Sequence, residues 1–167
     1  TGQKETFVTA IRELQSNSLF LRFCGADALW SFSLNVAGPF FSVYLVEGLG
    51  ATTSIVGTLG VINALAAIPG QRLFGHLTDR WGPRRIQVVT GLLIPLLPLA
   101  WLVAPSAWHL APVEVVSGFL WAGYGLASFN TLLHVTPEAR RPRYIAIYQI
   151  VVTASMALGA AVGGLIV

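Results

Sequence analysis

The chain has 167 residues, 54% of them hydrophobic, and carries only ten Lys or Arg and seven Asp or Glu. So few charges cannot coat a water-soluble domain of this length, and the composition fits a polytopic helical membrane protein whose solvent is lipid. The net charge of +3 lies in short clusters between apolar runs, which argues against a nucleic-acid-binding surface, and the single cysteine, Cys24, excludes an intrachain disulfide.

The sole methionine is Met156, and the start lacks the pattern of a signal peptide, so the sequence reads as a fragment or processed form with material upstream. Residues 1–18 place Phe7, Ile11 and Leu14 on one helical face with Lys4, Glu5, Arg12 and Glu13 between them. This predicts an amphipathic interfacial helix serving as a cytoplasmic linker; a disordered tail is the alternative.

Five apolar segments follow. The first predicted span, 19–46, holds Arg22 and Asp27 near its start and then no charge until Glu47. That is enough chain to cross about 30 Å of hydrocarbon at about 1.5 Å per residue. Gly38-Pro39 should kink it, and Tyr44 fits an interfacial anchor. The second, 52–70, starts at a Ser54 cap, carries Gly57 and Gly60 as a small-residue face, and should break or bend at Pro69-Gly70. The third, 86–103, should bend at Pro95 and Pro98 before a turn at Ala104–Ala107. The fourth, 108–133, has Glu114 near its start, and its Gly118, Gly123 and Gly125 imply close helix packing. A basic loop, Thr136 to Arg143, leads to the uncharged fifth span, 144–167.

The basic residues order these spans in the membrane. Lys4, Arg12 and Arg22 precede or open the first span, Arg72, Arg80, Arg84 and Arg85 surround the second loop, and Arg140, Arg141 and Arg143 fill the fourth. The first and third loops contain neither Lys nor Arg. All ten therefore fall on one side, which the positive-inside rule assigns to the cytoplasm, with the N-terminus cytoplasmic.

The stretch Gly75-x-x-x-Asp79-Arg80-x-Gly82-x-Arg84-Arg85 resembles the signature loop of the major facilitator superfamily (MFS) of transporters, which joins the second and third helices of each six-helix half. Here it joins the second and third spans, with Pro83 where the family pattern usually has a basic residue. Pro137-Glu138-x-Arg140-Arg141 is similar to the loop after the fourth helix of a half. Gly159-Ala-Ala-Val-Gly163-Gly164 is similar to the glycine-rich fifth helix, with Ala160 where the antiporter version has Pro.

The resemblance implies an all-α membrane protein, five of the six helices of one half. The lead-in favours the C-terminal half, and the N-terminal half is the rival. It further implies a multi-pass plasma (inner) membrane transporter, a symporter or antiporter, that moves small solutes by alternating access. Its partners would be the lipid bilayer, a small-molecule substrate, protons and the other half. A non-transporting membrane scaffold or subunit is the alternative.

The loop also implies a conformational latch, with a basic loop that only fixes topology as the alternative. Gly75 leaves room for a neighbouring helix, and Gly82 permits a tight turn with positive φ. Asp79 is an anion at the membrane edge, expected to hold the start of the fifth span with Arg84 or Arg140 as partner. Within the spans, Asp27 stands out, because a carboxylate in the bilayer is costly and faces the bundle interior with a partner or a proton. Proton coupling, a cationic substrate and an ion pair with Arg22 are its open readings. Trp30, Asn35, Trp121, Tyr124 and Asn130 are further cavity candidates, with packing or interfacial anchoring the alternative for each aromatic. His109 and His134 fall on opposite faces, so no metal site is expected. Nor do nucleophile motifs, phosphate loops or clustered catalytic groups point to an enzyme or a cofactor.

Overall fold

The computed structural model describes residues 17–166. The predicted amphipathic lead-in up to residue 16 lies outside the described residues, which contain helices and turns and no strand. Five segments are long and apolar enough to cross a membrane: Ser18–Gly48, Thr53–Trp81, Pro83–Leu102, Ala107–Val135 and Glu138–Ile166. They contain α1 (Ser18–Val43), α2 (Thr53–Trp81), α3 (Pro83–Leu93), α4 (Leu97–Leu102), α5 (Ala111–Val135) and α6 (Arg141–Ile166).

The helix ends show where local chemistry prevails. Asn17 opens α1: its Oδ1 accepts from the Phe20 N–H at 3.1 Å, and its Nδ2 donates to the Val135 carbonyl at 2.9 Å. Pro39 lies inside α1 without ending it; the chain then winds into a π-turn, Tyr44–Gly48, and reverses at Gly50 with φ 62°. At the next start Thr52, not Ser54, is the cap, its Oγ1 accepting from the Ile55 N–H at 3.4 Å. The expected break at Pro69-Gly70 does not occur, and α2 continues to Trp81. The third span does depart from α geometry at its prolines. Pro95 lies in a 3-10 turn, Ile94–Leu96, and Pro98 in the first turn of α4. Proline removes a backbone donor and crowds the preceding turn, so the tighter turn relieves both.

The fold divides into two compact units. One joins α1 up to Phe41 with the residues from Leu132 onward. Its core is Phe20, Cys24, Leu132 and Tyr144, with Phe23, Ile145 and Tyr148 packed beside it. Here α6 lies on α1 through two glycines: a Cβ on Gly159 would stand 2.4 Å from the Phe32 carbonyl oxygen, and one on Gly163 would stand 2.3 Å from that of Val36. Only a residue without a side chain fits either place.

The other unit runs from Ser42 to Thr131. Leu45, Ala51, Leu59, Ala107 and Leu110 form a core at one end of it, and Phe74, Ile86 and Ala127 form another. Gly118 of α5 meets α2 at the Asn63 backbone, where a Cβ would lie 2.0 Å from the carbonyl oxygen. Gly57, Gly60 and Gly125, expected to serve the same purpose, have no atom within 4 Å of an added Cβ.

Leu19, Leu29, Leu65, Ile68, Leu92, Leu102, Val116, Ile150 and Leu165 are all exposed. Apolar surface on this scale, spread over all the spans, is a lipid-facing surface. The protein is an integral, multi-pass membrane protein in contact with the bilayer.

Candidate functional site

In the first unit, Asp27 is 6% exposed, one face of α1 having turned it inward. The Tyr148 hydroxyl of α6 donates a hydrogen bond to its Oδ2. The Tyr148 ring is stacked on Phe23, with centroids 5.7 Å apart and planes at 16°. One turn along each helix, Phe20 and Tyr144 meet edge to face at 4.7 Å. The carboxylate is therefore buried and is contacted by a hydroxyl whose ring is held by stacking. Such a site can hold a proton or a small cation, because a hydroxyl supports the charged form without neutralising it. Arg22 is exposed and makes no ion pair among the described residues, so it does not supply the counter-charge.

The other in-span candidates divide. Asn35 is half-buried beside Gly159, and its amide donates to the Ser31 carbonyl at 2.8 Å. Asn130 donates in the same way to the Leu126 carbonyl at 3.0 Å. Both amides spend a donor on their own helix, the usual way to carry a polar group through lipid. Trp30 is half-buried. In the second unit Trp121 is exposed and Tyr124 half-buried; their rings meet edge to face at 5.9 Å.

The arginine-rich turn is also part of the second unit. α2 runs straight into α3 with one residue between them: Gly82, at φ 82° and ψ 150°, whose N–H donates to the Thr78 carbonyl at 2.9 Å. Pro83 then starts α3, where its missing N–H costs nothing. Gly75 is less crowded than expected, an added Cβ meeting only Leu126 at 4.0 Å, an ordinary contact. Asp79, Arg80, Arg84 and Arg85 are all exposed and form no ion pair among the described residues.

Arg80 suits the C-terminal end of α2, but Asp79 faces the same carbonyl end, and Arg84 and Arg85 stand on the first turn of α3. All three oppose the helix dipoles, at about 0.3–1 kcal/mol each at an exposed site. Local helix stability does not account for these charges. Arg140 is exposed in the turn Glu138–Arg140 that leads into α6, and beside it Arg141 pairs with Glu138 at 3.3 Å.

One polar cluster escaped the sequence reading. Asn63 of α2 donates from Nδ2 to Glu114 Oε2 at 2.8 Å, and the same nitrogen is 3.2 Å from Ser117 Oγ. The available signal was Asn63 itself, an amide in the middle of an uncharged span. No group of three or more His, Cys, Asp or Glu able to hold a metal occurs among the described residues.

Helices packed through glycine, a charged Gly-Pro turn between the second and third spans, and a buried carboxylate in the first are the marks of a polytopic helical membrane protein with polar groups inside its spans. The profile of the Major Facilitator Superfamily matches residues 23–167, and the chain belongs to that family. It is similar to YttB of Bacillus subtilis (strain 168), described as an uncharacterized MFS-type transporter, at 29% identity over 89% of this chain and 35% of the relative. YhjO of the same organism, described in the same words, is 30% identical over 87% of this chain and 36% of its own length. YwbF, also of that organism and described as an uncharacterized transporter, is 27% identical over 82% of this chain and 35% of its own length. The chain thus spans about a third of the length of these relatives. No solved structure matches it.

Proposed function

We propose that the chain is five spans of one half of a secondary active transporter, moving a small solute by alternating access and coupled to protons. The observation that carries this reading is Asp27: a buried carboxylate in an apolar span, touched by the Tyr148 hydroxyl. A carboxylate inside a membrane span is costly, up to about 2.5–3.5 kcal/mol at the helix centre on insertion scales, a cost that a lipid-embedded scaffold has no reason to carry. Proton binding and release at Asp27 gives the carboxylate a use, and a cationic substrate is the second occupant the same chemistry accepts.

In this reading the arginine-bearing turns face the cytoplasm of a cell bounded by its plasma (inner) membrane, and the N-terminus lies on that side. The other half of the transporter is the partner against which this half rocks. Asp79 and the arginines around Gly82 and Arg140 form the latch that holds the cytoplasmic side closed. The charges of Asp79, Arg84 and Arg85 oppose their own helix dipoles, which supports a partner elsewhere.

The test is transport by the full-length protein in proteoliposomes, against a panel of solutes, with and without a pH gradient. Gradient-driven movement of one class of solute, lost in Asp27→Asn, is the expected result. Transport that ignores the gradient and survives Asp27→Asn refutes the coupling role.

A further inference from the structure

We infer that Glu114 is a second proton-binding site, placed in the half of the bundle away from the arginine-rich turn and held by Asn63. The fourth span, Ala107–Val135, has 29 residues. At about 1.5 Å per residue, Glu114 lies about 10 Å from the middle of that span, inside a hydrocarbon layer about 15 Å thick on each side of the midplane. It is half-buried where α5 crosses α2, at the crossing made close by Gly118.

Its Oε2 accepts from Asn63 Nδ2 at 2.8 Å, and that nitrogen also reaches the Glu114 carbonyl at 3.4 Å and Ser117 Oγ at 3.2 Å. Asn63 is neutral. It fixes the carboxyl in place and leaves its charge uncompensated, and Glu114 forms no ion pair among the described residues. Other titratable groups on the elements packed at this end are Tyr44 and Glu47 of the π-turn and His109 before α5. Glu47 and His109 are exposed, and His109 Nδ1 is engaged by Ser106 Oγ at 2.8 Å. The charged groups of α2 and α3, from Arg72 to Arg85, lie toward the other end of those helices. A carboxyl group in lipid with only neutral partners resolves its charge by taking up a proton. Loss of that proton to the aqueous phase leaves the amide donor already placed to receive the anion.

This goes beyond the role given to Asp27 and is tested separately from it. The experiment is pH-difference infrared spectroscopy of the full-length protein carrying Asp27→Asn in lipid vesicles, between about pH 5 and about pH 9. A carboxylic acid band that appears as pH falls and vanishes in Glu114→Gln is the expected result. A band that depends on Glu114 but does not change across the range, or no such band, overturns the inference.

Should Glu114→Gln fail to fold, Asn63→Leu removes the donor that favours the anion. The half-point of the band then moves toward higher pH by about one unit. An unmoved half-point overturns the inference as well.

Discussion

The Tyr148 hydroxyl on α6 donates to the Asp27 carboxylate on α1, and the ring that carries it is stacked on Phe23. Hydroxyl and ring can be separated by mutation. Tyr148→Phe keeps the stacking and deletes only the donor, so the protein should still fold and insert. The lost hydrogen bond favoured the charged carboxylate by about 1.5–3 kcal/mol. The pH profile of transport should therefore shift toward higher pH, because the protonated form gains relative to the charged one. Initial rates of solute movement measured across pH check this, and an unshifted profile removes Tyr148 from the site.

The crossing of α5 over α2 predicts a contrast between two glycines of one helix. Gly118→Ala forces a Cβ against the Asn63 carbonyl, 2.0 Å away, and a backbone atom cannot swing aside. Overpacking of this kind costs about 1–3 kcal/mol. Gly125→Ala places a Cβ where no atom lies within 4 Å and should change stability by less than about 0.5 kcal/mol. Thermal unfolding of the two variants in detergent reads the difference directly.

The proposed latch predicts a defect in function without a defect in folding. Asp79 is exposed, so Asp79→Asn removes one charge and no packing. Membrane insertion should match that of the unmodified protein while transport falls by about tenfold or more, the scale of one lost ion pair or charged cap of about 1.4 kcal/mol. Normal transport by this variant would leave the turn with no role beyond fixing topology.

Much of this architecture is legible in the residues, and the failures have physical causes. The five apolar runs, the arginine distribution and the Gly82-Pro83 turn follow from composition and local chemistry, because lipid forces backbone polar groups into helices. Helix ends are less legible. Pro69 reads as a breaker, yet α2 continues through it to Trp81. Glycine pattern alone could not tell Gly118, pressed on Asn63, from Gly57 or Gly125 in open space. The Asp27–Tyr148 contact joins residues far apart in sequence, and nothing local to either announces the other. Asn63 and Glu114 likewise find each other only through the α2–α5 crossing.

All of the functional reading rests on which face of the membrane the charged turns occupy. The most direct measurement is labelling of single cysteines, introduced at Ser106 or at Trp81 in a Cys24→Ala background, by an impermeant thiol reagent added to intact cells. The account predicts that the Ser106 position reacts and the Trp81 position reacts only after the membrane is opened. Reaction at Trp81 in sealed cells, with Ser106 protected, would contradict it.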